Sequence, residues 1–102
     1  VNGPELDVSW DSGKAQSNVA KHGVSFALAA TVLLDPLALS VFDASHSEDE
    51  ERWFTLGMSS GGKILAVSHT YHLAGLAGAR VRIISAREAT RREREQYENE
   101  PR

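Results

Sequence analysis

Lys21-His22 and a run of arginines toward the C-terminus are the side chains best suited to chemistry in this sequence. The candidates among them are Arg80, Arg82, Arg87, Arg91 and Arg94, with Tyr97 close behind. Cutting an RNA backbone without a metal takes three acts. A proton must leave the ribose 2′-oxygen, the phosphate charge must be stabilised, and the departing 5′-oxygen must be helped. His, Lys, Arg and Tyr suit those tasks, and a histidine ordinarily titrates near neutrality. An arginine fork can hold a phosphate through two hydrogen bonds at once. Each feature has a plainer reading. His22 at a helix C-terminus favours the helix dipole, and the arginines can pair with glutamates along a solvated helix for about 0.2–0.5 kcal/mol each.

Other chemistries lack their residues. The absence of cysteine excludes disulfides, thiolate zinc sites and cysteine nucleophiles. His69 and His72 are three apart, but at a strand end and in a loop, with no third ligand at a recognisable interval. No metal or cofactor is expected. Gly75-Leu76-Ala77-Gly78 lacks the lysine and helix start of a phosphate loop, and no Gly-x-Ser-x-Gly motif occurs. Glu48 to Glu51 form a continuous acidic run, which reads as a solvated stretch.

These groups need a scaffold. At 102 residues, 41% apolar and 25% charged, the chain has the length and composition of one globular domain. No signal peptide is visible and no apolar run suits a membrane span, so a cytoplasmic protein is expected. The net charge of −3 hides a split. Residues 1–79 hold four basic and nine acidic side chains, a net of −5, whereas residues 80–102 hold seven arginines and five glutamates, a net of +2.

Residues 1–5 read as a loose arm. Leu6, Val8 and Trp10 alternate with polar residues, as in a strand with one buried face. Asp11 or Ser12 can cap a helix reaching about His22, with Ala15, Val19 and His22 on one face and Gly23 as its left-handed stop. Ser25 caps a second helix whose stripe is Phe26, Ala29, Ala30, Leu33 and Leu34, ended by Asp35-Pro36. Strands are expected over 37–42, 52–58, 64–70 and 80–86, with a hairpin turn at 59–63 and a mobile loop over 71–79. Thr90 and Glu93 form a capping box that opens a helix to about Glu100. The fold class is α+β: a small antiparallel twisted sheet with the N-terminal helix pair and the C-terminal helix against one face.

The ordered blocks Lys21-His22-Gly23-Val24-Ser25-Phe26 and Ile83-Ile84-Ser85-Ala86-Arg87 through Glu93-Arg94 and Tyr97 resemble the BrnT toxin family. Trp10-Asp11, Asp35-Pro36, His46-Ser47, Glu51-Arg52, Leu56-Gly57 and His69-Thr70 agree, so the likeness spans about residues 8 to 98. It implies a RelE-like fold and the toxin half of a bacterial type II toxin–antitoxin pair that arrests translation by cutting RNA. It also implies a BrnA-type ribbon-helix-helix antitoxin, two toxins on an antitoxin dimer, and contact with operator DNA only through that partner. Carried onto matching positions, it makes Lys21, His22, Arg87, Arg94 and Tyr97 catalytic candidates. His22 or Tyr97 would move protons. Arg80, Arg82 and Arg91 add phosphate contacts, and Trp10 and Phe26 read as core. The 71–79 loop departs from the family pattern. The alternatives are a non-catalytic module acting only with a DNA-binding antitoxin, which the acidic balance of residues 1–79 supports, and a metal hydrolase using His69 and His72. The expected site is a cationic notch where the arginine-rich end folds over the Lys21-His22 corner.

Overall fold

A computed structural model of the chain describes residues 5–76 and 78–101. The elements are β1 (Glu5–Trp10), α1 (Ser12–His22), α2 (Phe26–Val32), β2 (Leu39–Phe42), a 3-10 turn (Ala44–His46), β3 (Arg52–Met58), β4 (Ile64–Thr70), β5 (His72–Leu73), β6 (Gly78–Glu88) and α3 (Arg91–Asn99). Residues 1–4 of the expected arm lie outside the described residues, and Glu5 already belongs to β1. No helix among the described residues is long and apolar enough to cross a membrane.

Local chemistry sets the helix ends. Asp11 Oδ2 accepts the Lys14 N–H at 2.9 Å, and Gly23 takes a left-handed φ of 68°, which costs a residue without Cβ little. Ser25 Oγ caps α2 by accepting from Leu28 N at 3.1 Å. Thr90 and Glu93 satisfy each other's backbone N–H groups at the start of α3.

The strands run in the order β1-β6-β4-β3-β2, with β5 beside β6. The sheet is mixed rather than antiparallel, because β1 lies parallel to β6. Alternation in Leu6–Trp10 reveals a strand and a buried face; it carries no information about the partner's direction. The 71–79 segment is likewise not all loop: it supplies β5 and the first residues of β6.

The helices also cover both faces of the sheet. In β4, Leu65 and Val67 pack under α1 and α2, while Ile64 and Ala66 pack under α3, and all four are buried. A strand apolar on both sides needs cover on both sides. Phe26, Ala29 and Val32 are the buried positions of α2; Leu34, expected in its stripe, is 76% exposed because the helix ends before it. Gly57 lets α2 sit close, since a Cβ there would lie 2.7 Å from Val32 Cγ1. Trp10, expected in the core, is half-exposed and meets Phe26 edge-on.

The buried residue of α1 is Asn18, whereas Val19 and His22 face solvent. Pairing of β1 with β6 stops at Trp10 and Ile83, which leaves the next stretch of β6 without a strand neighbour on that edge. Asn18 takes that place. Its Oδ1 accepts from Ala86 N at 3.1 Å, and its Nδ2 donates to Ala86 O at 2.8 Å and Val24 O at 2.9 Å. Buried backbone groups left unpaired cost about 1–3 kcal/mol each. Asn18→Ala is therefore expected to lower stability by about 2–3 kcal/mol in urea unfolding, against less than about 0.5 kcal/mol for Val19→Ala one position on.

Candidate functional site

An irregularity in β6 builds the site. Ser68 lies opposite Ser85, but His69 lies opposite Ile83, so Ile84 is an extra residue on its strand. Side chains before and after such a bulge exchange faces relative to strict alternation. Val81 and Ile83 point to the α1/α2 face, and so does Ala86. Arg80 and Arg82 therefore share the opposite face with Arg87, which unbroken alternation would have sent into the core side. Arg52 joins them from β3, where it alternates with Phe54 and Leu56 on the α3 side.

Carboxylates orient two of these arginines. Arg82 Nη2 donates to Glu50 Oε1 at 2.6 Å, and its backbone N–H is accepted by Thr70 Oγ1. The Arg82 hydrogen bond holds the Glu50 carboxyl below the usual carboxylate range. Arg87 grips Glu93 through two bonds, at 2.7 and 3.0 Å, and its guanidinium carbon lies 5.8 Å from the Phe54 ring centroid. The Arg87 bond and the Thr90 N–H together bring the Glu93 carboxyl down to about 2, while Glu93 raises the Arg87 guanidinium. Glu93 thus closes its capping box and ties α3 to β6 with one carboxylate.

The remaining candidates are distributed differently. Arg94 Nη1 donates to the Ala89 carbonyl at 3.0 Å, and Arg91 makes an exposed pair with Glu95. Tyr97 is buried against Leu56, Ile64, Ala66 and Ala89, and its hydroxyl donates to Asp35 Oδ2. It holds α3 to the sheet with the group expected to move a proton. Asp35 also accepts from Met58 N and Leu37 N, joining the loop after α2 to β3 and α3.

Lys21 and His22 are exposed at the end of α1, on the other face from Arg80, Arg82 and Arg87. The expected notch between these regions is not formed, because a strand apolar on both faces sends α1 and α3 to opposite sides. His69 is also no metal ligand: its Nδ1 donates to Thr70 O at 2.9 Å and its Nε2 accepts from Thr55 Oγ1 at 2.7 Å. Burial pushes it below the ordinary histidine value. No group of three or more His, Cys, Asp or Glu is placed to hold a metal among the described residues. Arg52 was missed in the sequence because it follows the acidic run, although its alternation with Phe54 and Leu56 marks its face.

Residues 10–93 match the family described as "Ribonuclease toxin, BrnT, of type II toxin-antitoxin system". The chain belongs to the BrnT family. Membership brings an RNA substrate and a protein antitoxin as partner. The structure is similar to the 1.1 Å crystal structure of the Brucella abortus ribonuclease toxin BrnT, with a TM-score of 0.57 and 25% identity, covering 85% of this chain and 100% of that one. No curated protein matches the chain. The family match runs from the end of β1 into the first turn of α3, so it includes Arg52, Arg80, Arg82 and Arg87.

The Arg87–Glu93 pair has a measurable pH signature. A carboxylate whose folded pKa is depressed stabilises the fold above its unfolded value, and that contribution disappears as pH falls through the folded value. The urea midpoint of the parent is expected to fall between about pH 4.5 and pH 2 more steeply than that of Glu93→Gln. Equal slopes would show that the pair adds nothing to stability.

Proposed function

We propose that this BrnT-family chain is a metal-independent endoribonuclease of RelE-like type that seats the RNA backbone across the α3-side face of its sheet. The observation that carries this reading is the bulge at Ile84, which gathers Arg80, Arg82 and Arg87 on one face beside Arg52. A phosphate passing from ground state to transition state gains charge, and preorganised guanidinium groups stabilise it where it develops. The arginines supply the positive charge for which other nucleases use a metal. Arg82 is the leading phosphate contact, since its fork is half-exposed and already aimed at an anion. Glu50 occupies that fork in the free protein, and RNA would displace it. Arg87 contributes charge while also anchoring α3, and Arg91 and Arg94 extend the basic surface along that helix.

Lys21, His22 and Tyr97 are not part of this phosphate platform. In the cell, cleavage by such a toxin would arrest translation in the cytoplasm. A BrnA-type ribbon-helix-helix antitoxin would neutralise it, two toxins binding an antitoxin dimer that carries the operator contacts.

Salt dependence tests the platform directly. Each phosphate neutralised on a single strand contributes about 0.7 to the slope of log K against log salt. Arg80→Ala/Arg82→Ala is expected to reduce that slope by about 1.4 and to cut cleavage at least tenfold, with EDTA leaving the parent rate unchanged. Glu50→Gln is expected to tighten RNA binding severalfold. An unchanged slope in the double variant would contradict the assignment. Antitoxin binding without any cleavage would instead favour a non-catalytic module.

A further inference from the structure

The histidines differ in what their ring nitrogens do. Both nitrogens of His69 are engaged in the interior, and His22 is on the far face. His46 is exposed at the end of the 3-10 turn, and its Nδ1 lies 2.9 Å from Asp43 Oδ2. Ser45 Oγ donates to the other carboxylate oxygen at 2.9 Å. The Ser45 hydroxyl, helped by His46, keeps the Asp43 carboxyl below the usual range and so charged. A carboxylate accepts, so Nδ1 carries a proton toward Asp43, and in the neutral ring Nε2 is then the nitrogen with the lone pair.

His46 also lies beside the arginines. It lines a surface cavity of about 300 Å3 together with Arg52 and Glu50, and Glu50 is the residue bonded to Arg82. The β2–β3 connection thereby brings an oriented imidazole to the edge of the phosphate platform.

We propose that His46 is the general base of RNA cleavage and that Asp43 is the positioning residue that fixes its tautomer; this deepens the ribonuclease reading and rests on it. His46 Nε2 takes the proton of a ribose 2′-hydroxyl. The 2′-oxygen bonds to phosphorus as the P–O5′ bond breaks. The proton on Nε2 passes to water, and water protonates the 5′-oxygen. The products are a 2′,3′-cyclic phosphate and a 5′-hydroxyl, and no oxidant, metal or further reactant is consumed. Arg52 and Arg82 contact the non-bridging oxygens. Glu48 and Asp49 line the same cavity, and their charge favours the imidazolium formed by proton transfer. The acidic run thus acquires a role beyond solvation.

Steady-state cleavage of a single-stranded RNA by the purified chain tests this. His46→Ala and His46→Gln are expected to lower kcat by about 10²–10⁴-fold with KM nearly unchanged, and added imidazole is expected to restore turnover to His46→Ala. Asp43→Asn is expected to lower kcat by a smaller factor that imidazole does not repair, because the native ring is still in place. Urea unfolding of His46→Ala should match the parent. Parent-like turnover by both His46 variants would overturn the base assignment while leaving the ribonuclease reading standing, as would a folded His46→Ala that imidazole fails to restore. A parent chain that cleaves no RNA would overturn both.

Discussion

Asn18 and the extra residue in β6 determine where the positive charge of this molecule points. The edge of β6 loses its strand neighbour where β1 ends. At that point the Asn18 amide bonds both backbone groups of Ala86. With Ala86 pinned toward α1, Arg87 must lie on the other side of the sheet. The bulge at Ile84 reconciles this with Val81 and Ile83, which are also buried on the α1/α2 side. A buried amide on a helix thus fixes the face of a charged side chain on a strand. Shifting that register by one residue would drive a guanidinium into an apolar core, which gives the arrangement its energetic weight.

The capping signals were legible because they are local: Asp11, Gly23, Ser25 and the Thr90/Glu93 box depend on residues within one turn. The strands of the β3–β4 hairpin were legible for the same reason. Partner, face and direction were not, since they depend on residues far apart in the chain. Alternation in β6 gives Arg80 and Arg82 one face and would send Arg87 to the other, because a bulge is invisible to a period of two. Val19 looked like the inward residue of α1 because it is apolar. The inward residue is polar Asn18, selected by unpaired backbone rather than by apolar surface. The arginines of the candidate site come together on one face, while two of the residues named beside them lie elsewhere. Lys21 and His22 share the family motif with those arginines but not their side of the sheet.

The charge split along the sequence takes on physical meaning in three dimensions. The acidic residues of the first 79 positions are not simply a barrier to an anionic substrate. Glu50 orients Arg82, and Glu93 from the C-terminal segment orients Arg87. An arginine held by a carboxylate has already lost much of its rotamer freedom, so less entropy remains to be lost on meeting a phosphate. The two pairs are not equivalent. Arg82–Glu50 joins a strand to a loop and can open without disturbing the core, whereas Arg87–Glu93 is part of the attachment of α3, which Tyr97 and Asp35 complete. Binding and architecture are therefore divided between neighbouring arginines on one face.

The most direct measurement is the backbone amide spectrum of the labelled chain titrated with a 2′-O-methyl RNA oligonucleotide, which carries the phosphates but cannot be cleaved. Shift changes are expected on Arg52, Arg80, Arg82 and Arg87 and the adjoining 3-10 turn, with α1 and α2 unmoved. Changes confined to Lys21, His22 and the surface of the helix pair would place the RNA on the opposite face and contradict that expectation.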